Sequence, residues 1–390
     1  MVAEGVFAPG HLGELTQVVP FEMVDEVLAE CGAVLQRLRR LPARVVVYLL
    51  LAATLFEECG YPAVWRKLTG ALEALPLPRV TATALWHART RLGVRPMRAL
   101  FDLLRGPASA LRTTGARWAG LLVVAIDGTY LDVADDANVR ARLGKGANQY
   151  TAASGYPQVL LIALVACGTR AVIDAVFGPR KPGEPVLGRR LLRSTHPGMV
   201  VLLDRGFATT AGCTTGVYRL ATTLLDPHRY PAFELVRLYH ERWEVESAYF
   251  AVKHSMLGRR VLRSRTLPGI AQEIYALLTV YQVIRIAIAD ATSTVPGADP
   301  DRASFTIALH TARDQIIQAA GVIAGTTIDL VGTIGRAVLD RLMPARRLRL
   351  SPRAVKRPLS RYAYKSLRVD RRTYKATISI DILSTAPNSP

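Results

Sequence analysis

Residues 121–133 read LLVVAIDGTYLDV, a run of Val, Ile and Leu that predicts a β-strand with one acid, Asp127, set among apolar neighbours. A carboxylate in such a strand is costly unless it meets a cation or hydrogen-bond donors, so Asp127 demands a partner. Two further strands follow, PQVLLIALVAC at 157–167 and RAVIDAVFG at 170–178, separated by the turn Cys167-Gly168-Thr169. A helix is expected from about Glu184 to Leu192, then a short buried strand, MVVLLD, that ends on Asp204. Strand, strand, strand, helix, strand is an α/β order, and the tight second turn predicts an antiparallel hairpin within a mixed sheet. After the linker TTAGCTTG at 209–216, VYRLATTLL at 217–225 reads as one more strand.

Residues 239–253 then read YHERWEVESAYFAVK. On a uniform α-helix, at about 100° per residue, Tyr239, Arg242, Glu246 and Lys253 fall within an arc of about 60°. One face therefore carries an acid among three side chains suited to phosphate. Glu241 and Glu244 project to the other side, so the pattern selects Glu246 from three nearby glutamates. Only seven of the fifty basic residues are lysines, which makes Lys253 at this position less readily a matter of chance. A helix with ordinary Glu–Arg neighbours is the competing reading of this stretch alone. Taken one at a time, Asp127 as a cap on the Gly128 turn, Asp204 paired with Arg205 and Glu246 paired with Arg242 would be sufficient explanations. Three acids in this order, beside Arg and Lys, point instead to carboxylate oxygens gathered around Mg²⁺ or Mn²⁺. Two such ions about 3.5–4 Å apart can activate water and stabilise the leaving oxygen in phosphodiester cleavage. Asp132, Asp135 and Asp136 lie in or after the polar end of the first strand and read as surface or loop acids.

North of residue 107 the periodicity is helical, in 21–40, in 45–58 and in 61–75, with breaks at Pro42, Gly60 and the PLP of 76–78. The run VVVYLLLAATLF at 45–56 is too short to span a bilayer and reads as a buried helix. TATALWHARTRLG at 81–93 offers Thr81 or Thr83 as N-cap and carries His87, Arg89 and Arg91, the layout of a groove-reading helix, with a solvated arginine helix as an equal alternative. Beyond the long helix at 269–291 come a turn-rich stretch, TSTVPGADPDR, a helix at 304–323, and a strongly basic tail from Arg336 to Lys375 with interleaved tyrosines.

At 390 residues, 50% hydrophobic and with a net charge of +19, the chain is long enough for two or three structural units and has the electrostatics of a protein that meets a polyanion, most simply nucleic acid. Cys31, Cys59, Cys167 and Cys213 make no Cys-x-x-Cys pair, so neither a disulfide framework nor a structural zinc is indicated. The N-terminus lacks the features of a signal peptide, and no GxxxxGK[ST] motif occurs. A cytoplasmic protein working at the nucleoid, with no membrane association, is the expectation.

With AIDGT around Asp127, LLDRGF around Asp204 and the Tyr-x2-Arg-x3-Glu-x6-Lys pattern at Tyr239, Arg242, Glu246 and Lys253, the chain resembles DDE transposases of the insertion element four family. LPARVVVYLLLAATLFEECGYPAVWRKLTG resembles that family's helical N-terminal domain and RRLRLSPRAVKR its C-terminal segment. The resemblance implies an α/β, ribonuclease H-like mixed sheet flanked by helices at 119–292. It also implies an all-α N-terminal domain at 1–118 that binds DNA ends, and a helical and basic region at 293–390. It implies Asp127, Asp204 and Glu246 as catalytic ligands of two Mg²⁺ or Mn²⁺ ions, with Tyr239, Arg242 and Lys253 on DNA phosphates and Trp243 supporting the helix. The reaction implied is nicking at terminal inverted repeats, followed by attack of the freed 3′ hydroxyl on target DNA, in a homodimer assembled on the two element ends. Members usually carry a much longer segment between the second Asp and the Glu. Here 42 residues separate Asp204 from Glu246, so a shortened chain that only binds DNA is the alternative.

Overall fold

The strand at the centre of the sheet is Leu121–Asp132, and why it sits there is visible in its composition: apolar residues occupy both of its faces, as a strand covered on both sides requires. In the computed structural model, residues 11–34, 41–72, 79–148, 151–203, 222–318 and 331–344 are described, the side chains of 147–154 excepted. Contacts divide the chain into two units, one of residues 1–203 and 241–343, the other of 204–240 and 344–390.

Among the described residues the first unit begins with the α-helices α1 (Phe21–Glu30), α2 (Ala43–Leu55), α3 (Tyr61–Thr69), α4 (Ala82–Leu92) and α5 (Arg95–Leu104). Helix α2 is buried from Val45 to Leu55 on all its faces, as its unbroken apolar run predicts. Helix α4 starts at Thr81, whose side chain accepts a hydrogen bond from the amide of Ala84 at 3.1 Å, and stops at Gly93 in the left-handed region, φ +70°.

Strands β1 (Arg117–Trp118) and β2 (Leu121–Asp132) follow, then α6 (Ala137–Leu143), β3 (Lys145–Asn148), β4 (Thr151–Ala166) and β5 (Val172–Pro179). Helix α7 (Glu184–Gly188) passes into a 3₁₀ turn, Arg189–Ser194, before β6 (Met199–Leu203); the expected helix to Leu192 is thus half α and half 3₁₀. Strand β4 pairs antiparallel with both β2 and β5, and β6 pairs parallel with β2. The sheet is mixed and the second turn does make an antiparallel hairpin. On one face, Leu122, Val124 and Ile126 of β2 pack with Leu160, Ile162 and Leu164 of β4 and with Leu187 and Leu191. The opposite face, with Asp127 and Thr129, is left for helices later in the chain.

The last elements of this unit are α9 (Trp243–Phe250), a π-helical turn at Ala251–Met256, α10 (Leu267–Ser293), α11 (Phe305–Ile317) and α12 (Gly332–Leu339). The second unit contributes α8 (Ala232–Tyr239). Of the strand expected at 217–225, residues 217–221 lie outside the described residues and 222–225 are not strand. Most of the basic tail, from residue 345 on, is likewise outside them.

Helix α10 is long and apolar enough to cross a membrane, yet 78% of its most apolar window is buried in protein. Its polar side chains explain what it does there. The Gln272 amide donates to the carbonyls of Arg89 at 2.9 Å and Gly93 at 2.6 Å. Gln282 accepts from the amide of Val172 at 2.7 Å and donates to the carbonyl of Gly106 at 3.0 Å. Glu273 accepts from the Tyr61 hydroxyl at 2.9 Å, from Ser264 at 2.6 Å and from the amide of Arg263 at 2.8 Å. Arg89, expected to reach DNA, is buried in this cluster: it donates to Ser264 at 2.8 Å, lies 3.5 Å from Glu273 and stacks on the Tyr61 ring 3.8 Å from its centroid. Its i+2 neighbour Arg91 is exposed; at that spacing two helical side chains point to different sides. Because Glu273 answers a buried guanidinium, Glu273→Ala should destabilise the fold by about 3–5 kcal/mol, read as a lower denaturation midpoint in urea; a change within about 0.5 kcal/mol would show that Arg89 has other compensation.

Candidate active site

Three of the residues singled out in the sequence meet on the helix-covered face of the sheet. Asp127 lies in β2, where the carboxylate is largely covered, and its Oδ1 accepts a hydrogen bond from the amide of Gly128 at 2.8 Å. Arg242, in a 3₁₀ turn at His240–Arg242 just before α9, reaches both acids. Its NH1 is 3.6 Å from Asp127 Oδ2 and its NH2 donates to Glu246 Oε1 at 3.2 Å. The guanidinium is 8% exposed, whereas the Glu246 side chain is 41% exposed. A single buried cation therefore stands between the two carboxylates, offsetting the repulsion that gathering them creates. Both contacts are longer than tight charge-assisted hydrogen bonds. The local explanations of these acids, a turn contact for Asp127 and an ion pair for Glu246, are thus realised within the same cluster.

Lys253 reaches the same strand two residues on, where Nζ donates to Thr129 Oγ1 at 3.2 Å. It does so from the π-helical turn. The 239–253 segment is not the uniform helix assumed in placing its residues on one face: α8, a 3₁₀ turn, α9 and a π turn succeed one another. Overwinding before Glu246 and underwinding after it still leave Arg242, Glu246 and Lys253 on the sheet side. Tyr239 closes α8 in the second unit and is half-buried. Asp204 lies outside the described residues. Glu244 takes the other side of the helix, as expected, and is fully buried in an ion pair with Arg170 of the β4–β5 turn. Asp132, Asp135 and Asp136 are peripheral: Asp132 accepts from Gln158, Asp135 pairs with Lys145 and Arg140, and Asp136 caps α6.

Tyr249 is a site residue that the sequence reading missed. Asp127 and Ala163 face each other in the β2–β4 ladder. The Tyr249 hydroxyl accepts from the amide of Ala163 at 2.9 Å and donates to the carbonyl of Asp127 at 2.6 Å. It bridges that rung from the helix that carries Glu246. Burial, with the Asp127 charge adding to it, pushes the phenol well above its ordinary pKa, so it stays a neutral donor. Its place three residues after Glu246 was the available signal, since i and i+3 share a helix face. Thr129 could have been found in the same way, two residues along the strand from Asp127. On the other face, Gly128 leaves room for the Glu184 carboxylate, which occupies the space a β-carbon would take.

Among the described residues no three His, Cys, Asp or Glu side chains come together as a metal-binding group. Asp127 and Glu246 supply hard oxygen donors, the chemistry that suits Mg²⁺ or Mn²⁺, and the buried guanidinium they share brings them to one place. The donor set fits such an ion.

Residues 9–102 match the family model for the insertion element 4 transposase N-terminal region, and 118–283 match the transposase DDE domain. The transposase InsG for insertion sequence element IS4 of Escherichia coli K12 is 23% identical over 399 aligned positions, covering 86% of this chain and 90% of the relative. InsZ of the same strain, provisionally assigned as a transposase, is 26% identical over 189 positions, 48% of this chain and 62% of that protein. No solved structure matches. The geometry also gives a test of the Tyr249 bridge. Tyr249→Phe removes the hydroxyl and keeps the ring, which should cost about 1–3 kcal/mol and speed amide exchange at Ala163; unchanged exchange there would show that the rung closes without it.

Proposed function

The chain belongs to the insertion element 4 family of DDE transposases, and we propose that it cuts DNA at the terminal inverted repeats of its element and joins the freed 3′ end to a target. The observation that carries this reading is Arg242 contacting the carboxylates of Asp127 and Glu246 together, which gathers the first and third acids of the family pattern in one place. Asp204, the residue that follows β6 in the sequence, is the third ligand in this assignment. Two Mg²⁺ or Mn²⁺ ions held by Asp127, Asp204 and Glu246 would supply an activated water and a counter-charge for the leaving oxygen. Arg242 keeps the acids close and their charge balanced, and the partly exposed Glu246 keeps the centre open to a substrate. Lys253, held by Thr129, offers its ammonium to a phosphate. Tyr239 and the exposed Arg91 act on DNA outside the metal centre, whereas the buried Arg89 supports α4.

In this reading, the helices before residue 118 hold the element ends, 119–292 cuts, and the basic region after 293 follows the backbone, in a homodimer on two DNA ends at the nucleoid. Net charge of +19 supports a nucleic-acid partner, and raising salt should weaken binding steeply.

A second reading, a chain that binds ends without cutting, rests on a specific observation. Asp204 and Glu246 are 42 residues apart, and the alignment with InsG needs 399 positions to take in 86% of this 390-residue chain, so the relative carries stretches with no counterpart here. Nicking of a plasmid that bears the element ends, in Mg²⁺ or Mn²⁺, separates the two. Asp127→Ala should lower nicking by about a hundredfold or more while gel shifts of end DNA persist. Shifts without any nicking by the unaltered chain would leave the binding protein, and nicking that survives Asp127→Ala would overturn the metal-site assignment.

A further inference from the structure

Beyond Glu246, an exposed Phe250 at the end of α9 and a partly exposed His254 in the π turn form an aromatic pair outside the core and the acid cluster. Phe250 is 60% exposed, unusual for a phenylalanine in a segment whose neighbours Tyr249, Ala251 and Val252 are buried. Its ring stacks on His254 with centroids 4.5 Å apart and planes 9° from parallel. Arg259 Nε donates to His254 Nδ1 at 2.7 Å, which fixes the orientation of the imidazole and leaves Nε2 to carry the proton of the neutral ring. Partial burial and the nearby Arg259 and Lys253 charges lower the His254 pKa, so the ring stays neutral at pH 7.

The cations beside this pair are Arg259, which is exposed, and Lys253, which is partly so; Arg260 and Arg265, further along the chain, are exposed as well. Flat, rigid rings with cations beside them are the features by which proteins hold an unpaired nucleobase, its π-face on the aromatic and its phosphates on the charges. Phe250 follows Glu246 at i+4 within α9, which sets its ring next to that acid along the helix, so a nucleotide held here belongs to the strand that enters the acid cluster. The π turn contributes by carrying His254 under the Phe250 ring while Lys253 stays on the sheet.

We propose that the Phe250–His254 stack is a platform for an unpaired nucleobase of DNA lying beside the scissile phosphate; this rests on the reading of the Asp127–Glu246 cluster as a DNA-cutting centre. Duplex DNA hides its base faces, so the platform selects ends that are frayed or carry a single-stranded overhang.

The test uses the full chain in EDTA, so that binding is read without cleavage. Two fluorescent hairpin duplexes serve as probes, one blunt and one with a thymidine overhang. The unaltered chain should bind the overhang more tightly, and Phe250→Leu and His254→Leu should each remove roughly tenfold of that preference while leaving blunt-duplex affinity and the thermal midpoint in place. Phe233→Leu, an exposed phenylalanine of α8, is the control and should change nothing. With 5-iododeoxyuridine in the overhang, irradiation should crosslink a peptide that contains Phe250 or His254. Equal affinity for both probes, equal losses in all three variants, or crosslinks confined to other peptides would overturn the platform. Failure of the cutting centre itself is read separately, as absence of plasmid nicking in Mg²⁺, which this binding assay does not involve.

Discussion

Buried polar groups on one apolar helix hold the larger unit together. Helix α10 has the length and hydropathy of a membrane span, and what makes it a core helix is that Gln272, Glu273 and Gln282 are each satisfied by backbone or side chains from elsewhere in the chain. Two of these contacts link parts distant in sequence: α10 to α4 through the Arg89 carbonyl, α10 to the start of β5 through the Val172 amide. An amide or carboxylate buried without such partners would cost several kcal/mol, so α10 fits in one register only. The same helix fixes the β4–β5 turn, because the Tyr281 hydroxyl donates to the Arg170 carbonyl at 2.6 Å.

From that turn the constraint passes to the acids. Arg170 pairs with Glu244 and with Asp301 at 2.6 Å, tying down the first turn of α9, while Tyr249 ties its last turn to the rung at Asp127. Glu246 lies between these two anchors. Burial pushes the Asp301 carboxyl up, although the Arg170 charge pulls the other way. A helix clamped at both ends holds the Glu246 side chain in a fixed position beside Asp127.

Much of this was legible in the chain itself. The strands at 121–133, 157–167, 170–178 and 199–203 stand out because a sheet covered on both faces is written as apolar runs, and the acids stand out because they interrupt those runs or share a helix face. What could not be read was partnership. Nothing in TATALWHARTRLG tells Arg89 from Arg91; only the arrival of Glu273, 184 residues later, makes the first a core residue. Nor does YHERWEVESAYFAVK show its 3₁₀ and π turns, since both arise from tertiary contacts acting on residues with ordinary helix propensity. Nothing in the sequence marks the partners of Tyr249, because its hydroxyl acts on backbone atoms of strands far away in sequence.

The π turn at Ala251–Met256 has a consequence for how this segment can change. A π turn is a helix that has absorbed one extra residue, the i to i+5 spacing recording the insertion. Its bulge acts as a phase adjuster: it lets Glu246 keep the rotational setting demanded by β2 while the chain beyond Met256 meets α10 at a different one. Gain or loss of a single codon here would therefore be transmitted in one direction only, either to the acid or to the core. The acid cluster at β2 and the packed core around α10 are thereby joined through a coupling that can slip by one residue without unseating both.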